Sequence, residues 1–310
     1  MADRLTTADD SRAVSARGIT WSCIERPTRA EAEVLASAYQ MDPADIVRSL
    51  DRGGESGIWQ RTGYLLLQLQ VPLPVVERVR SGISTAPVAL LIRPDALLTV
   101  HTGEVRSLVR LFQQCSSPDV REEIFAGGAT ALLTAVVRCL VETADTAVAR
   151  LGQDIATLED AATGEMAVAV VSTLVRLQRR TGEVRRAIAS WPAILRRLED
   201  LAPSPGMAGE WDRLASRVEV LTRALEDSAA ICTSLLMGVT AASTLQWERR
   251  LRALIAVAAL TLPVIAAAVI LAMAPANPLR SLPDPFAAEL ALVGTVFLIA
   301  LFVLRRQGIL

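Results

Sequence analysis

Lysine is absent from the chain and histidine occurs once, as His101, so the 32 basic residues are all arginines. The missing lysine reads as a compositional habit of the source genome rather than a device. Net charge is −1 at neutral pH, without the concentrated basic face that phosphate neutralisation requires, which excludes nucleic acid as a partner. Four cysteines, Cys23, Cys115, Cys139 and Cys232, lie far apart, and with one histidine they form no zinc-ligand spacing. They are expected as free thiols in a reducing cytosol. No Gly-rich phosphate loop, nucleophile elbow or metal-ligand pair accompanies His101, which is expected to be an ordinary core or surface histidine, and no enzyme is expected. The N-terminus, residues 1–17, is polar and lacks the apolar core of a secretion signal.

Apolar residues are abundant instead. They make up 52% of the 310 positions and mean hydropathy is +0.37, and most of the excess lies after Leu251. Before that point the composition is that of a soluble protein. Ile19 to Glu25 predicts a strand; Thr28 and Glu31 stand at capping-box spacing and predict a helix to about Tyr39. Asp42-Pro43 supplies an N-cap and first-turn proline for a short helix to about Leu50. Gly53, Gly54 and Gly57 break the chain. Strands follow at Tyr64 to Val71, Val88 to Ile92 and Ala96 to His101, the last two forming a hairpin about Arg93-Pro94-Asp95. From Ser117-Pro118 to Leu201, Leu133, Val137, Leu140, Ala144, Val148 and Leu151 recur at helical spacing, which predicts two long antiparallel helices turning near Gly164.

After Pro203, Pro205 and Gly206 no strong helix breaker occurs before Pro263, so one helix is expected from about Met207 to Ala274. At 1.5 Å per residue it would be roughly 100 Å long. Between Ala253 and Ala274 only Thr261 is polar, and Phe286 to Leu304 is a second apolar segment; each is long enough to cross a bilayer. Pro263 is compatible with a membrane helix. Arg249, Arg250, Arg252, Arg305 and Arg306 flank the outer ends of this pair, against Arg280 in the loop, so both termini are expected on the cytoplasmic side of the inner membrane. The expected organisation is a cytosolic α/β domain over 1–117, a helical hairpin over 118–202, a stalk helix over 203–250, a first span over 251–274, an outer loop over 275–285, a second span over 286–304 and a basic tail over 305–310. Two spans alone enclose no water-filled path, so the chain is either a simple anchor or part of an oligomer, and the roughly 100 Å helix favours copies bundled about an axis.

The order of these elements resembles the CorA family of divalent-cation channels. So do Thr20-Trp21-Ser22-Cys23-Ile24-Glu25 with Pro27-Thr28, Met41-Asp42-Pro43, Tyr64-Leu65-Leu66-Leu67, Ala96-Leu97-Leu98-Thr99-Val100, and Leu251-Arg252-Ala253-Leu254 followed by Leu262-Pro263. The resemblance implies an α+β membrane protein assembled as a homopentamer, with the first span lining a central pore, no prosthetic group, and Mg2+ or Zn2+ as the transported ion. The family's Gly-Met-Asn triplet at the outer end of that span falls on Ala272-Met273-Ala274, and the asparagine equivalent, Ala274, has no side-chain oxygen. Gapless alignment places Glu248 at an inner polar ring and Leu251, Leu254, Ala258, Leu262 and Ile265 along the pore wall. Glu248 is alternatively an exposed ion-pair partner of the arginines beside it. Asp284, and Asn277 under a shifted alignment, are candidates for attracting cations at the outer mouth, and Asp212, Glu219, Glu226 and Asp227 are candidates for cytosolic metal sensing. A sensor aspartate of the family falls on Arg213. The dry pore face leaves two readings open: a conducting channel, or a CorA-like protein that serves as a membrane sensor or assembly partner.

Overall fold

The computed structural model describes residues 13–48, 54–74, 85–161, 167–201, 209–273 and 285–306. Its order is β1 (Ala13–Ala16), β2 (Ile19–Glu25), α1 (Arg29–Tyr39), α2 (Pro43–Arg48), β3 (Gly57–Arg61), β4 (Tyr64–Pro72), β5 (Thr85–Ile92), β6 (Ala96–His101), α3 (Arg106–Gln114), α4 (Pro118–Phe125), α5 (Gly128–Ala161), α6 (Ala167–Ile188), α7 (Trp191–Leu201), α8 (Glu210–Met273) and α9 (Pro285–Arg306). Two compact units result, Met1–Leu236 and Met237–Leu310.

In the first unit, six strands form one sheet in the order β1-β2-β6-β5-β4-β3. The β2–β6 pair is parallel, with Trp21 opposite Leu97 and Glu25 opposite His101, and the other pairs are antiparallel. Because successive side chains point to opposite faces, the sheet divides its apolar residues in two. Leu66, Ala89, Leu91, Leu98 and Val100 face α1 and α2 and enclose Ala32, Ala36 and Ile46. Trp21, Leu67, Leu69, Val88, Leu90 and Leu97 face the opposite way, into the larger core made with the long helices. Trp21 is fully buried there and meets the Phe112 ring edge-on at 5.0 Å, an arrangement that adds about 1 kcal/mol to its burial.

Local chemistry sets the ends of the elements. Thr28 Oγ1 accepts from Glu31 N–H and Glu31 Oε2 accepts from Thr28 N–H, closing the expected capping box. Asp42 Oδ1 accepts the Ala44 N–H ahead of α2. That short helix is tied to the β3–β4 hairpin by Asp45, which is 4% exposed and receives Arg61 at 2.8 and 3.0 Å and the Tyr64 hydroxyl at 2.7 Å.

Over 118–201 the described residues hold two long helices, α5 and α6, with the shorter α4 before them and α7 after them. Gly128, at φ +82°, separates α4 from α5, because a left-handed residue cannot continue a right-handed helix. Pro192, which lacks an N–H and crowds the carbonyl four residues back, follows the break between α6 and α7. The expected turn at Gly164 lies outside the described residues. Gly209, at φ +77°, precedes α8, which begins at Glu210; the expected start, about Met207, lies outside the described residues.

Candidate functional site

Of the long helices, α5 buries its apolar stripe in the protein: Leu132, Leu133, Val136, Val137 and Leu140 are fully enclosed. Taken with α4, which meets it at 107°, it has the length and composition of a broken membrane span, but its packing is that of a core helix. The second unit is different. Leu251, Leu254, Leu262 and Ile265 of α8 are 47–65% exposed, and Leu290, Phe297, Leu298, Ile299 and Phe302 of α9 are 42–67% exposed. Ala258 is exposed too. Among the described residues no single helix is long and apolar enough to cross a membrane; the apolar stretches found are Leu254–Ala266 and Leu290–Ile299.

Leu251, Leu254, Ala258, Leu262 and Ile265 follow one another at three- and four-residue intervals and therefore share one face of α8. Pro263 interrupts the hydrogen-bond ladder within this segment. Thr261, its polar residue, turns its hydroxyl onto the Val257 carbonyl at 2.9 Å, so the side chain presents no free donor. Glu248 faces Arg252 one turn along at 3.5 Å, with both side chains more than half exposed. Ala272 and Met273 complete the helix; Ala274, Asn277 and Asp284 lie outside the described residues.

Three of the four acidic candidates on the first unit's part of α8 pair with arginines, and the fourth, Asp227, is exposed. Arg196 of α7 binds both Asp212, at 3.5 Å, and Glu219, at 2.5 Å. Glu226 meets Arg185 of α6 at 4.0 Å. Nearby, Arg138 of α5 reaches Glu210 at 2.6 Å and Arg217 reaches Asp145 at 2.5 Å. Sequence reading named the carboxylates but not these partners, because the arginines come from other helices. Arg213, at the sensor position, pairs with Glu210 on its own helix. Among the described residues no group of three or more His, Cys, Asp or Glu is placed to hold a metal ion.

His101 is buried on β6. Its Nδ1 accepts the Gly103 N–H at 2.9 Å, which leaves Nε2 to carry the proton and face Cys23 Sγ at 3.3 Å. Burial lowers the imidazole pKa, partly countered by Glu25, and burial pushes the Cys23 thiol up to about 11. Cys23 is therefore a thiol and not a thiolate at pH 7, and the lone pair of the neutral His101 ring is taken up by the Gly103 N–H. A cleft of about 490 Å³ between β2 and α1 has its polar lining engaged internally: Ser22 and Tyr39 hydroxyls bond at 2.6 Å, and Arg93 binds the Tyr39 carbonyl and Asp95.

The family model for CorA-like Mg2+ transporter proteins matches residues 16–306. The chain belongs to that family. CorA-family proteins are membrane transporters or channels, not enzymes. No curated protein matches the chain. Among solved structures, the complete CorA magnesium transporter from Methanocaldococcus jannaschii superposes with a TM-score of 0.81 at 17% identity, over 96% of this chain and 94% of that one. The full-length CmaX protein gives 0.70 at 16% identity, over 93% and 88%. The ZntB cytoplasmic domain from Vibrio parahaemolyticus RIMD 2210633 gives 0.57 at 11% identity, over 73% and 88%. At these identities the superpositions establish a CorA-like fold.

Proposed function

We propose that this protein passes divalent metal cations, Mg2+ or a transition metal such as Zn2+, across the cytoplasmic membrane, as a homopentamer whose central pore is lined by α8. The observation that carries the reading is the open apolar surface of the second unit, where leucine, isoleucine and phenylalanine side chains of α8 and α9 are about half or more exposed. Apolar surface on that scale needs lipid or further copies of the chain to cover it. Residues 253–274 and 286–304 supply two spans, and the flanking arginines orient both termini to the cytoplasm.

In this arrangement Leu251, Leu254, Ala258, Leu262 and Ile265 form the wall, Glu248 lies beside its inner end, and Ala272, Met273 and Ala274 stand at its outer end. Such a wall gates by excluding water and holds cations weakly. Asp284, with Asn277, concentrates cations at the outer mouth by summing one charge per copy. The ion is cargo, and carboxylate oxygens suit Mg2+ better than nitrogen or sulfur ligands do.

Reconstitution into liposomes loaded with a divalent-sensitive dye tests the reading. Mg2+ or Zn2+ influx through a pentamer counted in detergent is the expected result; a monomer, or one subunit that stays single in the bilayer, ends it. The same apolar wall favours a second reading, a CorA-like assembly or sensor that does not conduct. A pentamer with no divalent flux at any internal Mg2+ concentration selects that reading.

A further inference from the structure

Trp247, one turn before Leu251, is 64% exposed, whereas Trp211, the other tryptophan of α8, is buried in the first unit. An indole left open on a helix needs cover, since burying a large apolar side chain is worth on the order of 2–3 kcal/mol. Its direction on the helix says which cover. At about 100° per residue, Trp247 points within about 20° of the mean direction of Leu251, Leu254, Ala258, Leu262 and Ile265, and Glu248 about 80° away from it. Glu248 is also already answered, on its own flank, by Arg252 at 3.5 Å.

Resting on the reading of α8 as the wall of a shared axial path, we propose that Trp247 forms the innermost constriction, its indoles from adjacent copies standing against one another around the axis with Glu248 turned aside onto Arg252. An apolar ring of this size excludes hydrated ions until the copies part. Once they part, the indole faces offer a passing cation a weak attraction. Tryptophans also mark the lipid interface of membrane helices, but a lipid-facing Trp247 would lie on the flank opposite the Leu251–Ile265 face.

Full-length protein carrying Trp247→Cys, Leu254→Cys or Ala258→Cys, treated in liposomes with a short bismaleimide, tests the placement. None of the four native cysteines is exposed, and burial raises the Cys23 and Cys115 thiols to about 11, so wild-type protein sets a low background. Subunit-to-subunit bridges at all three positions are expected. Bridges at 254 and 258 without one at 247 would overturn the Trp247 assignment and leave the axial path standing; no bridge at any position would remove the path itself. Flux tests the constriction: Trp247→Ala should raise divalent influx several-fold while Trp247→Phe stays near wild type. Should wild type be silent, influx appearing in Trp247→Ala supports the constriction. Influx unchanged or still absent in Trp247→Ala, or brominated-lipid quenching that disappears in Trp247→Phe, overturns it.

Discussion

Replacing Asp45 with alanine is expected to destabilise the first unit by about 2 kcal/mol, because the carboxylate is nearly buried and accepts three hydrogen bonds, two of them from a guanidinium. Thermal unfolding of the detergent-solubilised protein measures this. Burial alone would raise the Asp45 pKa, yet the hydrogen bonds from Arg61 and Tyr64 bring it below the ordinary value. Its stabilisation is therefore present above the unfolded-state pKa of about 3.9 and is lost as pH falls through the lower folded value. His101 acts over a different window. Its folded pKa is depressed by burial, against Glu25, so the folded state favours the neutral ring; stability is complete above the unfolded pKa of about 6.5 and declines as pH falls toward the folded value. Denaturation midpoints between pH 7 and 5 should fall more steeply in wild type than in His101→Gln. Equal slopes would show that the imidazole titrates as it does in the unfolded chain.

At the scale of elements, the cross-helix ion pairs are expected to differ in weight. Glu210 is 15% exposed beneath Arg138, so Arg138→Ala leaves a largely buried carboxylate with only the Arg213 pair on its own helix and should cost about 1–3 kcal/mol. Arg196, half exposed between Asp212 and Glu219, should cost less when replaced by alanine, because solvent screens both of its pairs. Equal melting-temperature shifts in the two variants would contradict this ordering. Which of these features could be read from sequence follows from how local their causes are. The capping box of Thr28 and Glu31, the Asp42-Pro43 helix start and the Arg93-Pro94-Asp95 hairpin depend on neighbours within a few positions, and the structure has each where it was expected. Strand β1 and strand β3 escaped because each is an edge strand of four or five residues without a sustained apolar alternation. Pro192 carried a readable break signal that the strong apolar periodicity on either side obscured. The wall residues of α8 were assigned by alignment to family positions, which drew attention to Glu248 and away from Trp247 beside it. The arginine partners of the α8 carboxylates were beyond reach, because choosing among 32 arginines requires knowing which helices meet.

For the whole molecule, the two units predict opposite behaviour toward solvent. A fragment comprising residues 1–236 has a closed core of its own and is expected to be soluble and to melt cooperatively without detergent, whereas the full chain should precipitate when detergent is removed. A fragment that aggregates, monitored by light scattering, would mean that the first unit depends on the second for its fold. The five tryptophans are distributed so that the molecule reports on itself optically. Trp21, Trp191 and Trp211 are sealed in the first unit, and the Trp191 Nε1–H finds no acceptor among the described residues, while Trp59 and Trp247 are open. Excited indoles shielded from water emit toward the blue, so loss of the soluble core registers as a red shift carried by three chromophores. Substituting Trp59 and those three with phenylalanine would leave Trp247 as a lone lamp one turn before the Leu251–Ile265 face.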